Sequence, residues 1–130
     1  MESWIHYLKG DATAPIGNGA KYIVHLCNNL GLWGAGFVLG VSQKWPEPKK
    51  SYLQWYHSEK DFSLGKIQFV PVEKDITIIN MVAQKGIESE DDLPPIRYEA
   101  LKECLNQIAI AAKENKASVH MPRIGSGLAG

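Results

Sequence analysis

The sequence predicts an α/β sandwich with a mixed, mostly buried sheet. Three observations point to it. Strand-like and helix-like segments alternate along the 130 residues. The segment KYIVHLC, Lys21 to Cys27, is a near-continuous apolar run with β-branched residues, as expected of a strand covered on both faces. Hydrophobic residues make up 45% and charged residues 22%, an ordinary globular composition for a chain that builds one core.

Each element follows in turn. Ser3 to Asp11, SWIHYLKGD, alternates as a short strand does, and Lys9-Gly10-Asp11 turns the chain. Pro15 to Gly19 is loop. Lys21 to Cys27 is the buried strand, and Asn28 to Gly36 is a loop rich in Gly and Asn. Phe37 to Trp45 reads as a helix, with Phe37, Val38, Val41 and Trp45 on one face. Pro46 ends it, because a residue before proline is pushed out of the α region. Pro48 suits the first turn of the next helix, which runs to about His57. Lys66 to Val72 and Ile76 to Val82 form two strands around a turn at Glu73-Lys74-Asp75. Gln84 to Pro95 is a polar loop whose acidic cluster, Glu88 to Asp92, reads as solvated. Pro95 opens the clearest helix, Ile96 to about Lys113, where Tyr98, Leu101, Cys104, Leu105, Ile108 and Ala112 recur at helical spacing. Ser118 to Pro122 is a last short strand.

Composition narrows the function. Lys+Arg and Asp+Glu both number 14, so general nucleic-acid binding, which shows as a basic excess, is not expected. Phosphate binding stays open, because backbone N–H groups at a helix start need no net positive charge. Cys27 and Cys104 are far apart and match no metal spacing. A reducing, cytoplasmic setting is expected, without a disulfide framework. The N-terminus MESWIHYLKG lacks the apolar stretch of a signal peptide, and no run is long enough to span a bilayer. Nothing calls for a metal or a cofactor.

Two strands end in glycine loops: HLCNNLGLWGAGF, His25 to Phe37, and MPRIGSGLAG, Met121 to Gly130. Glycines let backbone amides close on a ligand, and converging amides make an anion nest. Two such loops side by side would grip a diphosphate from both ends; the bland reading is that they only make turns. Gly125, Gly127 and Gly130 have the G-x-G-x-x-G spacing. A dinucleotide fold is nevertheless excluded by context, since it needs a following helix, strand and acidic residue, and the chain stops. Asp11 makes a turn or cap, or accepts from an exocyclic amine such as adenine's. Asn28 and Asn29 bond the backbone or a sugar hydroxyl. His25 is a satisfied core residue or a general acid or base. Ser126 does not fit the G-x-S-x-G elbow and reads as a donor, not a nucleophile. Arg123 pairs with phosphate or braces its loop. Trp33 packs, or covers a ligand.

Five stretches, YLKGDAT, HLCNNLGLWGAGF, NMVAQ, PPIRYEAL and HMPRIGSGLAG, occur in this order in macrodomains, and from about Ile5 to Gly130 the chain resembles that family. The branch it resembles processes ADP-ribose 1″-phosphate and includes terminal ADP-ribose glycohydrolases. The resemblance implies one domain over residues 1–130 with a three-layer α/β/α fold, binding ADP-ribose in a cleft at the strand ends. It implies that Asp11 holds adenine and that Ala12 contacts it through its backbone. Asn28 would touch the distal ribose. Trp33, Gly34, Ala35, Gly36 and Phe37 would wrap the distal ribose and diphosphate. Ile124, Gly125, Ser126, Gly127 and Leu128 would supply amides from the other side, and Gln84 would line the cleft. The partners implied are ADP-ribose, a derivative, or an ADP-ribosylated macromolecule. Family members continue past the second glycine loop into a helix and a strand, so the chain is expected to be a shortened form.

Catalysis is where the sequence departs from its relatives. Human-type glycohydrolase relatives use a lysine in the loop after NMVA-like strands and an aspartate after the glycine loop; here Gln84 and Ala129 stand there. Glutamine cannot supply the amine nucleophile of a lysine adduct, and Lys85 is only adjacent. A second branch has an aspartate where Val38 stands. His25 matches a histidine implicated in the yeast-type phosphatase, where it would protonate a leaving group or orient water. The open readings are hydrolysis of a distal-ribose substituent (phosphate, acyl or a protein side chain), a non-catalytic ADP-ribose reader, and a different nucleotide or RNA-end binder.

Overall fold

The computed structural model of the chain describes residues 19–34, 37–86 and 95–122, together with the backbone of 5–7. Among them the order of elements is β1 (Ile5–Tyr7), β2 (Lys21–Asn28), α1 (Phe37–Lys44), α2 (Glu47–Ser58), β3 (Ile67–Glu73), β4 (Ile76–Gln84), α3 (Tyr98–Asn115) and β5 (Ser118–Met121). One mixed sheet takes the strands in the order β1-β5-β2-β4-β3. The first four are parallel to one another, and β3 pairs antiparallel with β4 through the predicted hairpin.

The pleat sends alternate residues of each strand to opposite faces. Tyr22 and Val24 of β2, Ile79 and Met81 of β4, and Val119 and Met121 of β5 meet Leu101, Cys104, Ile108 and Ala112 of α3. Ile23 and Ile78 face the other way and pack with Val70 against Val41 and Trp45, at the end of α1. The result is a sheet with helices on both faces, the α/β/α arrangement expected. Central β2 and β4 are buried almost throughout, which is why their sequences read as continuous apolar runs.

Several boundaries differ from expectation. Strand β4 runs on to Gln84, so two residues beyond the predicted strand join the sheet. Helix α3 starts at Tyr98 instead of Ile96. Ile96 makes an antiparallel bridge to Gln84, and the Arg97 N–H donates to Ala83 O at 2.8 Å, which holds the chain extended up to the helix. Tyr98 therefore lies in the first turn at 62% exposure, outside the apolar face assigned to it. Pro48 does sit in the first turn of α2. Both α2 and α3 end on a left-handed residue that is not glycine, Glu59 (φ 57°) and Lys116 (φ 53°), so neither stop carried the usual sequence signal. Strand β3 lies at the sheet's edge and is interrupted by exposed Pro71, where the register with β4 slips before Glu73. The acidic cluster, residues 88–92, lies outside the described residues. No described helix is long and apolar enough to cross a membrane.

Candidate functional site

Because β1, β5, β2 and β4 are parallel, their carboxyl ends lie along one edge of the sheet, at Tyr7, Met121, Asn28 and Gln84. Every loop singled out in the sequence follows one of these four ends. Crevices at such an edge are where open α/β sheets bind ligands. Of the predicted site residues, Asp11, Ala12, Ala35, Gly36, Ile124, Gly125, Ser126, Gly127 and Leu128 lie outside the described residues, as does Arg123. His25, Asn28, Trp33, Gly34, Phe37 and Gln84 are described.

Asn28 organises the loop that follows β2. Its Oδ1 accepts from the Leu30 N–H (2.9 Å), the Leu32 N–H (3.2 Å) and the Tyr52 hydroxyl (2.9 Å), while Nδ2 donates to Leu32 O (2.7 Å). The same hydroxyl lies 2.7 Å from Asn28 O. The carboxamide thus shapes the loop before it meets any ligand. Burial pushes the Tyr52 phenol up, so it stays protonated and able to donate. Within the loop, Gly31 (φ 73°) sits against the Tyr56 ring, and a Cβ there would collide with the ring. Asn29 locks the neighbouring loop: its Oδ1 accepts from the Gly86 N–H at 2.9 Å and its own N–H donates to Gln84 O at 3.0 Å. The Gln84 amide turns back to Gly86 O at 3.0 Å. The ends of β2 and β4 are therefore one bonded unit.

Behind this edge sits His25, 2% exposed. Trp33 meets its ring edge-on at 5.3 Å between centroids, and Phe37 covers it at 5.7 Å. Trp33 is itself fixed by an Nε1–H donated to Ser42 Oγ of α1 at 2.7 Å. Gly34 is exposed between these two aromatic anchors, with open space around its Cα. His25 Nε2 and Asn80 Oδ1 are 2.6 Å apart, and Nδ1 has no hydrogen-bond partner among the described residues. Burial is the main influence on its pKa, only partly offset by the Asn80 bond and the Leu26 backbone, and lowers it from 6.5 to about 4. The imidazole is neutral at pH 7.

Sequence reasoning missed Asn80, Gln68 and Tyr52. Asn80 is fully buried; its Nδ2 donates to Gln68 Oε1 (2.9 Å) and Pro48 O (3.2 Å), and Gln68 Nε2 donates to Ser51 O (3.0 Å). A signal was present: Asn80 is a polar residue inside the apolar run of ITIINMVAQ, and such a residue needs partners. Among the described residues no group of three His, Cys, Asp or Glu is placed to hold a metal ion. A cavity of about 370 Å³ lined by Leu64, Arg97, Tyr98, Glu99, Ala100 and Glu103 opens at the start of α3, and neither His25 nor the Asn28 loop lines it.

No family model matches the chain. Among solved structures, a Bacteroides thetaiotaomicron protein of unknown function is 55% identical, with a TM-score of 0.92 over 97% of this chain and 81% of its own. A macrodomain protein from Streptomyces coelicolor is 47% identical, with a TM-score of 0.83 over 95% of this chain and 80% of its own. Mouse chromodomain-helicase-DNA-binding protein 1-like is 34% identical over 134 residues, 97% of this chain; the chain spans only 15% of that protein's length. An ADP-ribose 1″-phosphate phosphatase of Lodderomyces elongisporus is 23% identical over 97% of this chain and 84% of its own length. With the fold, the strand-end loops and the identity to the Streptomyces protein in agreement, the chain belongs to the macrodomain family.

Proposed function

We propose that this domain binds ADP-ribose, or a derivative carrying a substituent on the distal ribose, along the edge where β1, β5, β2 and β4 end. One observation carries the reading: four parallel strands end along the same edge of the sheet, and each is followed in the sequence by a stretch that resembles the ADP-ribose cleft. Asn28, Trp33, Gly34, Phe37 and Gln84 would face the distal ribose and diphosphate, with Asp11 and Ala12 at adenine and Ile124 to Leu128 on the diphosphate. The partner in the cell would be free ADP-ribose, a derivative or an ADP-ribosylated macromolecule. Two free, buried thiols, Cys27 and Cys104, suit a reducing cytoplasmic setting.

Hydrolysis of the distal substituent is a second reading. It is favoured by the likeness to the fungal phosphatase and by the buried, uncharged histidine within β2. A neutral His25 has no spare proton at pH 7, so its part would be to accept from water or a hydroxyl, not to protonate a leaving group. Calorimetry with ADP-ribose, competed by AMP, tests the first reading. Saturable binding with much weaker competition by AMP is expected, and equal competition would mean that the distal ribose is not read. Phosphate release from ADP-ribose 1″-phosphate tests the second. Binding without release leaves a reader module.

A further inference from the structure

The polar row beneath the site crosses three strands in register. His25 of β2 is level with Asn80 of β4, and Asn80 is level with Gln68 of β3. All three side chains lie on the α1–α2 face, since they share parity with Ile23, Ile78 and Val70. The row is anchored at its far end by two carbonyls of α2. Ser51 O accepts only, so Gln68 must present its amide nitrogen there and its oxygen to Asn80. Pro48 O makes the same demand on Asn80 independently. Asn80 therefore has only its oxygen left for His25, and across 2.6 Å the histidine nitrogen must donate. That puts the ring proton on Nε2 and leaves Nδ1 with a bare lone pair.

We infer that Asn80 and Gln68 are positioning residues, which hold His25 as its Nε2–H tautomer so that Nδ1 is a hydrogen-bond acceptor inside the Trp33–Phe37 enclosure. The inference deepens the proposed site and rests on that reading for its ligand. An acceptor in that place selects by chemistry. A hydroxyl or a water can donate to it, whereas a phosphate oxyanion has nothing to donate. The ring is 2% exposed and Nδ1 itself is buried, so such a donor meets it only from within the enclosure. The group met by His25 is thus a free ribose hydroxyl or the attacking water, not the phosphate of a phosphorylated ribose. The nearest titratable neighbours do not disturb this. Cys27 Sγ is 4.0 Å from Nε2, and Tyr52 lies tilted against Trp33 with centroids 5.7 Å apart; burial raises both pKa values, so both are neutral. Phe37 of α1 cannot titrate, and no described ion pair or hydrogen bond joins His25 to a charged side chain.

The test is long-range proton–nitrogen NMR on the 130-residue chain labelled in its histidines. The expected His25 pattern is a protonated Nε2 and an unprotonated Nδ1, unchanged down to about pH 5. An Nδ1–H pattern, or averaging between tautomers, overturns the relay. In Asn80→Asp the carboxylate should move the His25 titration upward, while Gln68→Glu loses its bond to Ser51 O but keeps an acceptor for Asn80, which Pro48 O holds in the same orientation, and should keep the wild-type tautomer. Loss of the tautomer in Gln68→Glu counts against the relay even if Asn80→Asp does not fold. Added ADP-ribose should shift the Nδ1 resonance toward that of a hydrogen-bonded acceptor. Amide shifts along the strand-end loops with a stationary Nδ1 would overturn the ligand contact and leave ADP-ribose binding intact. Absence of any binding would instead sink the proposed function, and the spectrum of the free protein would still decide the relay.

Discussion

The two faces of the sheet are cut from the same strands and serve different ends. On the α3 face, Tyr22, Val24, Ile79 and Met81 meet Leu101, Cys104 and Ile108, and the packing is apolar from Ile79 to Ala83 of β4. On the opposite face the apolar packing of Ile23, Ile78 and Val70 gives way, two residues along β2 and β4, to His25 and Asn80, with Gln68 beside them. A buried polar row is stable only when its members satisfy one another, and here a single nitrogen, Nδ1 of His25, is left over. Apolar packing and the polar row are thus divided by residue parity, so a one-residue step along β2 passes from one to the other.

Three perturbations probe the separation of the two faces. The largest effect belongs to the apolar face. Ile108→Ala should cost about 2–5 kcal/mol by urea unfolding, with ADP-ribose affinity of the folded fraction unchanged. A matching loss of affinity would mean that the faces are not separate. Next comes pH. His25 takes up a proton in the unfolded chain below about 6.5 but in the fold only near 4. The unfolded state therefore binds more protons between those values, and stability rises with pH across that window. The stabilisation is fully present above pH 6.5, is lost as pH falls toward 4, and amounts to roughly 3 kcal/mol. Urea unfolding at pH 7 and 4.5 should show this acid loss in wild type and a flatter profile in His25→Gln. An equally steep loss in the variant would place the acid sensitivity elsewhere. The smallest effect is Tyr52→Phe, which removes the hydroxyl from Asn28 O and Oδ1. It should cost about 1 kcal/mol of stability. Amide exchange should then quicken at Leu30 and Leu32, and unchanged protection there would show that Asn28 holds its loop unaided.

Much of this was legible in the sequence, for identifiable reasons. The runs of β2 and β4 and the apolar spacing of α3 announced themselves because those elements are buried on the faces their patterns describe. The ends were less legible. Lys116 and Glu59 close helices without glycine, and Ile96 and Arg97 stay extended because β4 offers Gln84 and Ala83 as partners, which is a tertiary cause. At the site, His25, Asn28 and Trp33 stood out by residue type. Their companions did not, because Gln68 meets Asn80 only through the register of the β3–β4 hairpin, and Pro48 and Ser51 reach Asn80 and Gln68 only once α2 lies across the sheet. A hydrogen-bond relay is a property of neighbours in space, and the sequence shows only its isolated members.

Pro71 has a consequence beyond the irregular pairing of β3. An edge strand with free amides and carbonyls is a template on which a second copy can add its own strand. Pro71 lacks an amide proton, and the slipped register after it bends the line that an incoming strand would follow. The break in β3 thus acts against self-association: it removes one outward donor from the edge and takes a second copy's strand off a straight line.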